Sequence, residues 1–496
     1  MTPALGVLVA AFAVAIGLGV WARRGHTMSL EQWSVGGRGF GAIFVFLLMA
    51  GEIYTTFTFL GGSGWAYGKG APAFYIICYG AIAYSVSYFL LPVVWRYARE
   101  RMLVSQADFF VAKYDSRALG VLVALVSVAA LVPYLVLQLK GLGIIVSEAS
   151  DGRISQAAAV WAGSAALVTN VVISGVRGSA WTAALKDVMI LGVAVAIGLY
   201  LPWHYFGGLQ PMFEAIERTK PGTLTLPAAG MSPAWFVSTV ILTALGFYMW
   251  PHYFAGSYTA KDESVFRKNA VFLPLYQLVI LFVFFVGFAA SLVVPGLVGA
   301  DADLSLFRIA KQTFGPWTVG MIGAAGLLTA LVPGSMILVT AGTILAQNVY
   351  RVLVPGASER SVSLLARALV PVVTLLAVAF TLRGGEAIVV LLLVGYSLVT
   401  QLFPACVVSL GRRPWASAAG AFAGILAGEL TVLYVTVSGA SVAKLVPAAP
   451  QLVKDLNVGV VALIVNVAVL ALVTLATRRA ADRMPAGAVA PASRSA

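Results

Sequence analysis

Charged side chains are scarce in this sequence. Only 10% of the 496 residues are charged and 60% are hydrophobic, whereas about a quarter of an ordinary soluble domain is charged. So few charges cannot cover the surface of a soluble protein of this length, and many apolar side chains must therefore face lipid. The composition excludes a soluble protein. Because no polar linker separates the apolar runs, it also indicates a single integral membrane domain.

Cysteine and the common catalytic motifs are scarce as well. The two cysteines, Cys78 and Cys406, lie far apart inside apolar runs, which argues against a disulfide framework or a metal site. The sequence contains no Gly-Lys-Ser/Thr phosphate loop, no His-Glu-x-x-His pair and no nucleophile elbow. We therefore expect no cofactor, no ATP-driven step and no enzymatic activity, and no repeated pore motif suggests a channel.

Apolar runs long enough to cross a bilayer recur along the whole chain. A membrane-spanning helix needs about 20 mostly apolar residues. The runs lie at about 3–22, 40–66, 72–95, 118–147, 156–175, 180–204, 233–258, 270–297, 317–349, 363–382, 386–410, 415–437 and 455–477. We therefore predict an all-α polytopic membrane protein with thirteen transmembrane helices.

The basic residues predict the orientation of these spans. The net charge of +13 comes from short clusters between the apolar runs, which is typical of cytoplasmic loops and not of a nucleic-acid surface. Because Arg23 and Arg24 follow the first span, we interpret it as an uncleaved helix with its N-terminus outside. With a cytoplasmic C-terminus, 22 of the 32 Lys and Arg fall inside and 10 fall outside or within spans. The location predicted is the bacterial inner membrane, with lipid as a partner and neither nucleic acid nor an obligate protein partner.

Three spans are interrupted where a continuous helix would be expected. Span 2 carries Gly51 followed by a carboxylate and hydroxyls, and span 7 carries Pro251, which frees the carbonyl of Phe247. In span 9, Pro333 frees the carbonyl of Thr329, an oxygen that suits a hard cation such as Na⁺. Paired interruptions in matching helices form the substrate and ion site of transporters built from inverted repeats.

The five-helix spacing of spans 2 and 7 predicts the organisation of the chain. Two consecutive five-helix units would each begin with an interrupted span. The predicted segments are 1–38 (first helix and cytoplasmic loop), 39–206 (first repeat, spans 2–6), 207–411 (outer loop and second repeat, spans 7–11), 412–479 (two peripheral helices) and 480–496 (a disordered cytoplasmic tail).

Polar side chains at and near the interruptions are the candidate site residues. Those predicted to contact substrate are Tyr54, Thr55, Thr56, His252 and Lys140. Glu52 would carry a proton, face the substrate or turn into a wet vestibule, and Lys140 would pair with a substrate carboxylate or with Glu52. His252 follows the second interruption, and an imidazole side chain can donate a hydrogen bond to a carboxylate. Lys186 and Asp187 are assigned to the cytoplasmic interface of span 6.

Several segments resemble a known family. They are Glu31-Gln32-Trp33-Ser34-Val35-Gly36-Gly37-Arg38, Gly51-Glu52-Ile53-Tyr54-Thr55, Pro251-His252, the stretch from Arg267 to Tyr276, and Gln401-Leu402-Phe403-Pro404-Ala405. In this order, over about residues 5–435, the chain resembles the sodium:solute symporter family and, within it, the bacterial monocarboxylate permeases. The resemblance implies a LeuT-type core of five plus five inverted-repeat helices.

The resemblance also implies a sodium site. Its ligands would be the carbonyls of Gly51, Tyr54 and Thr329, with two hydroxyls at positions that Val332 and Pro333 occupy here. Some members carry an aspartate where this chain has Ala183. Ser335, Thr55 or water would have to complete the shell, or Glu52 would carry a proton instead.

The function predicted is cation-coupled symport of a small monocarboxylate, such as lactate, pyruvate or propionate, by alternating access. The coupling ion is Na⁺ or H⁺. The alternative is a Na⁺-coupled symporter of another small solute: an amino acid, pantothenate or a sugar.

Overall fold

A computed structural model describes residues 2–25 and 29–483. This part of the chain is helical, and its only strand-like feature is an isolated bridge between Phe40 and Ala260. The last helix ends at Arg483, so the first four residues of the predicted tail 480–496 are helical. The rest of that tail lies outside the described residues.

The helices follow one another with short connections. The first nine are α1 (Pro3–Arg23), α2 (Leu30–Val35), α3 (Ala42–Gly51), α4 (Gly62–Lys69), α5 (Tyr75–Glu100), α6 (Gln106–Tyr114), α7 (Arg117–Ala149), α8 (Gln156–Phe206) and α9 (Leu209–Thr219). The next ten are α10 (Pro233–Gly246), α11 (Pro251–Gly256), α12 (Ser264–Gln277), α13 (Ile280–Val293), α14 (Ser305–Thr313), α15 (Pro316–Ile344), α16 (Arg351–Leu353), α17 (Glu359–Arg383), α18 (Ile388–Val399) and α19 (Phe403–Val408). The last four are α20 (Ala418–Ser438), α21 (Val442–Leu445), α22 (Gln451–Lys454) and α23 (Val458–Arg483).

Local sequence signals explain where these helices begin. α1 starts with Pro3 in its first turn, where no amide hydrogen is needed, and Thr2 accepts a hydrogen bond from the Leu5 amide at 3.2 Å. α6 starts with a capping box, in which Ser105 and Asp108 each accept a hydrogen bond from the other's backbone amide.

The first predicted interruption separates α3 from α4. α3 ends at Gly51, and an irregular stretch and a π-turn (Phe57–Gly61) precede α4. Threonine hydroxyls satisfy part of the freed backbone: Thr58 Oγ1 donates to the Ile53 carbonyl at 2.8 Å and accepts from the Thr55 amide at 3.0 Å. The interruption is therefore built into the sequence and is not a loose end.

The second predicted interruption separates α10 from α11. α10 ends at Gly246, a 3₁₀ turn covers Phe247–Met249, and Trp250 is extended with ψ 123° before Pro251 starts α11. A residue before proline disfavours the helical conformation. The two helical parts meet at an angle of 47°.

The core of the molecule surrounds α15. All of its residues from Ile322 to Ile344 are buried, and it packs against α1, α7, α8 and α17. Its neighbour α8 is kinked at Gly175, where φ is 56° and ψ is −150°. A Cβ at Gly175 would lie 2.6 Å from the Trp33 carbonyl oxygen, so this kink requires glycine.

Ten helices in the described residues are long and apolar enough to cross a membrane, or eleven if the bent pair Pro233–Met249 and Pro251–Thr259 is one span. This chain is therefore a multi-pass membrane protein. The difference between these eleven and the predicted thirteen comes from two places. α8 comprises two helical parts joined across the kink at Gly175 and is counted once where two spans are predicted, and α3 by itself is too short to count.

Candidate functional site

The two interrupted helices meet in the interior. The Tyr253 hydroxyl donates a hydrogen bond to the Glu52 carbonyl at 2.6 Å. His252 Nε2 lies 3.3 Å from Glu52 Oε2, and both side chains are buried, with 0% and 4% of their surface exposed. A carboxyl group and an imidazole, both able to exchange a proton, are thus adjacent where the backbone of each helix is broken.

A small closed cavity lies beside this pair. Its volume is about 10 Å³, roughly the space that one water molecule needs. Polar groups of its lining include Glu52, Thr58, Gln277 and the rings of Tyr79, Tyr84, Tyr134, Tyr253 and Tyr396. The rings come from α5, α7, α11 and α18. Any solute larger than water needs these rings to move.

The hydroxyl groups near the first break that are predicted to contact substrate have other hydrogen-bond partners in this conformation. The Tyr54 hydroxyl donates to the Tyr276 carbonyl at 2.8 Å, and Thr56 Oγ1 donates to Gln138 Oε1 at 2.8 Å. Thr55 Oγ1 accepts a hydrogen bond from the Phe57 amide at 3.1 Å. None of these three residues lines the cavity. Glu52 and Thr58 are the polar residues of this segment that line it.

Lys140 lies away from Glu52, contrary to one of the predicted pairings. Its Nζ is 2.8 Å from Asp303 Oδ2 and donates to the Glu386 carbonyl at 2.7 Å. The same Asp303 oxygen accepts a hydrogen bond from the Ile388 amide at 3.0 Å. This Lys140–Asp303 link joins α7, the segment before α14 and the start of α18. The sequence analysis missed this link because Asp303 lies in a 3₁₀ turn 163 residues away along the chain.

Lys186 occupies a different place from the predicted one. It is fully buried, and its Nζ donates hydrogen bonds to the carbonyls of Gly51 at 2.5 Å and Tyr54 at 3.1 Å. Asp187 Oδ1 lies 3.0 Å from the same nitrogen. The assignment of Lys186 and Asp187 to the cytoplasmic interface is therefore wrong, because both residues are buried and Lys186 contacts the first helix break.

Several groups of the residues predicted as sodium ligands already take part in hydrogen bonds in this structure. Two of the three carbonyls, those of Gly51 and Tyr54, already accept hydrogen bonds from Lys186. Thr329 Oγ1 donates to the Gly326 carbonyl at 2.6 Å, and Ser335 Oγ donates to the Leu331 carbonyl at 2.7 Å. Ser335 also accepts from Asn170 on α8, so its hydroxyl is engaged there.

The sequence comparison decides the family. The pattern that defines the Sodium:solute symporter family matches residues 33–428. The chain belongs to this family. A sodium:solute symporter couples the movement of a solute to that of a cation, so this chain is a cation-coupled symporter of the bacterial plasma membrane.

Relatives of this symporter carry names of different precision. An uncharacterized symporter of Bacillus subtilis (strain 168), YhjB, is 61% identical over 480 residues, which are 97% of this chain and 98% of the relative. A monocarboxylate transport permease protein of Rhizobium johnstonii is 28% identical over 439 residues, with 86% and 87% of the two chains covered.

A solved structure has the same fold. It is the substrate-bound, outward-open state of a Na⁺-coupled sialic acid symporter, with a TM-score of 0.77 at 16% identity, covering 96% of this chain and 98% of that one. At this identity the likeness concerns the fold only. It shows that the two chains share this helical fold.

Sequence reasoning placed Lys186 at the interface and did not identify the cavity tyrosines. A signal for Lys186 exists: a charged pair inside an apolar stretch is costly unless it has a function. The tyrosines Tyr79, Tyr84 and Tyr396 give no such signal, because aromatic residues are common in apolar spans.

Proposed function

We propose that this symporter takes up a small monocarboxylate together with a cation by alternating access. The observation that carries the proposal is a group of buried polar atoms at the meeting point of the two breaks. Tyr84 Oη, Gln277 Oε1, His252 Nδ1 and Glu52 Oε1 make no hydrogen bond within the described residues. A buried polar atom without a partner costs about 1–3 kcal/mol, so this arrangement favours a polar solute that supplies the missing partners.

Two features support a carboxylate. His252 lies beside the cavity-lining Glu52, and a protonated imidazole donates to a carboxylate. The Rhizobium johnstonii relative is named a monocarboxylate transport permease. In this proposal the solute carboxylate competes with Glu52 for His252, while the tyrosine rings cover the rest of a small solute.

Alternating access requires that the site be closed on both sides at one stage. On one side the Lys140–Asp303 link holds α7 against α18. On the other side Arg38 donates to the Leu103 carbonyl at 2.8 Å and pairs with Glu31 at 3.0 Å. We interpret the closed cavity as an occluded stage, from which either side opens when its polar link breaks.

The proposed membrane topology retains thirteen crossings. We count α8 twice, because the non-helical backbone at Gly175 (φ 56°, ψ −150°) divides it into two helical parts that match the two predicted spans. The broken segment from α3 to α4 counts as one crossing and the bent pair α10–α11 as another. The inverted repeats would then comprise 39–206 and 207–411.

Counterflow in proteoliposomes tests the proposed function. Vesicles preloaded with unlabelled solute should take up labelled lactate, pyruvate, propionate or acetate, whereas labelled proline should not exchange. Exchange of proline alone would favour the alternative, a symporter of another solute. An uptake rate that does not saturate as the solute concentration rises would contradict a carrier mechanism.

A further inference from the structure

We propose that Lys186 replaces the sodium ion of this symporter, so that a proton carried by its side-chain amine is the coupling ion at this site. The proposal rests on cation-coupled uptake as set out above and goes further by naming the ion and its carrier. It follows from the disagreement between the sodium ligands that the family resemblance implies and the groups that this chain places there.

The carbonyls of Gly51 and Tyr54 at the first break accept hydrogen bonds from Lys186. The amide four residues after Gly51, that of Thr55, donates to the Ile53 carbonyl at 3.2 Å instead of closing a helical turn onto Gly51. Lys186 Nζ supplies the donor for the Gly51 carbonyl at 2.5 Å and for the Tyr54 carbonyl at 3.1 Å. An ammonium group thus sits where freed carbonyl oxygens would otherwise suit a metal cation.

Two hydrocarbon side chains also surround Gly51 beside the Lys186 ammonium. A Cβ built on Gly51 would lie 3.4 Å from Ala183 Cβ, 3.5 Å from Lys186 Nζ and 3.5 Å from Val332 Cγ1. Val332 is a hydrocarbon side chain at one of the two positions where the family resemblance implies hydroxyls, and Ala183 stands where some members carry an aspartate. A sodium ion here would find too few oxygens and would be repelled by the ammonium.

Several titratable groups surround Lys186. Asp187 Oδ1 lies 3.0 Å away on the same helix. Two residues of the broken segment, Glu52 and Tyr54, interact electrostatically with the Lys186–Asp187 pair. Tyr276 of α12 faces Asp187. His252 of α11 lies next to Glu52. The ammonium therefore has a carboxylate beside it to receive a proton, which a sodium ion would not need.

The proposed step is a proton transfer. When the N–H bond of Lys186 breaks, the proton moves to Asp187 Oδ1, where an O–H bond forms, and then to water on the side that is open. The neutral amine binds the two carbonyls less strongly, because hydrogen bonds from a charged donor are about twice as strong as neutral ones. The tie between α8 and the first break weakens, and the break is free to move until Lys186 is protonated again.

Gradient-driven uptake in proteoliposomes is the first test, with labelled lactate, pyruvate, propionate and acetate as probes. A gradient of about one pH unit without Na⁺ should give about tenfold accumulation of an anion that enters with one proton, and a Na⁺ gradient alone should give none. Lys186→Arg and Lys186→Met should each retain counterflow and lose pH-driven accumulation, because neither side chain exchanges a proton. Lys268→Arg, the same change at an exposed lysine, should accumulate like the wild type.

The second test needs no solute. Purified wild-type protein should bind no labelled Na⁺ saturably, and saturable binding by the wild type would overturn the proposal even if both Lys186 variants fail to fold. Accumulation driven by Na⁺, or pH-driven accumulation that Lys186→Arg retains and Glu52→Gln loses, would overturn it as well. If none of the carboxylates is transported, the proposed substrate fails, and the Na⁺ binding result still decides the role of Lys186.

Discussion

Glu52 and His252 face each other at the two helix breaks, with Oε2 and Nε2 3.3 Å apart. If His252 binds the solute carboxylate, His252→Ala should raise the half-saturation concentration about ten- to a hundredfold, since a hydrogen bond to a charged group is worth about 1.5–3 kcal/mol. Counterflow at varied solute concentration measures it. His204→Ala, at an exposed histidine, is the matched control. Equal kinetics of both variants would contradict a role of His252 in solute binding.

Lys140 forms a link to Asp303 in this arrangement. Lys140→Ala leaves the buried Asp303 carboxylate with the Ile388 amide alone. We expect a loss of about 1–3 kcal/mol, less than for a fully buried pair because Lys140 is partly exposed. Thermal unfolding in detergent should show a lower Tm, and Lys140→Met with Asp303→Asn should recover part of it.

Lys69→Ala, at an exposed lysine with no hydrogen bond among the described residues, should leave Tm unchanged. An increase in half-saturation concentration for Lys140→Ala with no change in Tm would instead support the contact with solute that the sequence predicted.

Single residues were predictable where they stood out from an apolar background. Glu52, Gly51 and Pro251 do so, and the structure brings them to the breaks. Lys186 also stands out, but a span boundary a few residues away made it look interfacial, and only the fold shows that its side chain contacts the first break. The pairing of Lys140 with Asp303 depends on tertiary packing, which no local pattern encodes.

At the level of helices, α20 and α23 depend on a glycine face. Gly420, Gly424 and Gly428 lie four residues apart along α20, and a Cβ at Gly424 would lie 2.7 Å from Leu470 Cβ and 2.9 Å from the Asn466 carbonyl oxygen. Gly424→Ala should therefore destabilise the protein by about 1–3 kcal/mol, because neither atom belongs to the flexible end of a side chain. Thermal unfolding in detergent measures the change.

Gly192 on α8 provides the comparison, because nothing lies within 4 Å of a Cβ built there. Gly192→Ala should keep or raise Tm, since alanine favours a helix over glycine by about 1 kcal/mol. A similar response of both variants would show that helix propensity, and not the contact between α20 and α23, decides the outcome.

The interrupted helices were predictable as elements, whereas their exact limits were not. Gly51 and Pro251 mark the breaks because glycine and proline change backbone conformation locally. The π-turn Phe57–Gly61 has no comparable signal in the sequence. The kink at Gly175 becomes visible only through the close approach of Trp33.

For the whole molecule, polar contacts sort the loops onto two sides. Arg96 pairs with Glu263 at 2.6 Å, and Lys113 donates to the Gly411 carbonyl at 3.1 Å. Elsewhere Lys311 pairs with Asp151 at 2.9 Å. The loops that touch in the first two contacts are all predicted to be cytoplasmic, and those in the third are predicted to be outside. The alternation of spans and the contacts between loops are independent observations, and both assign these loops to the same two sides.

The orientation of these two sides gives the last prediction. Removing the buried Lys186 changes the predicted division of Lys and Arg from 22 against 10 to 21 against 11 (22 − 1 and 10 + 1), which still places the larger group in the cytoplasm. Reporter fusions after Arg101, Lys268 and Arg413 should give a cytoplasmic signal, and a fusion within 207–232 an external one. Because Arg96 contacts Glu263, the first two fusions must agree with each other. A periplasmic signal at Lys268 would contradict both the thirteen-span topology and the external N-terminus.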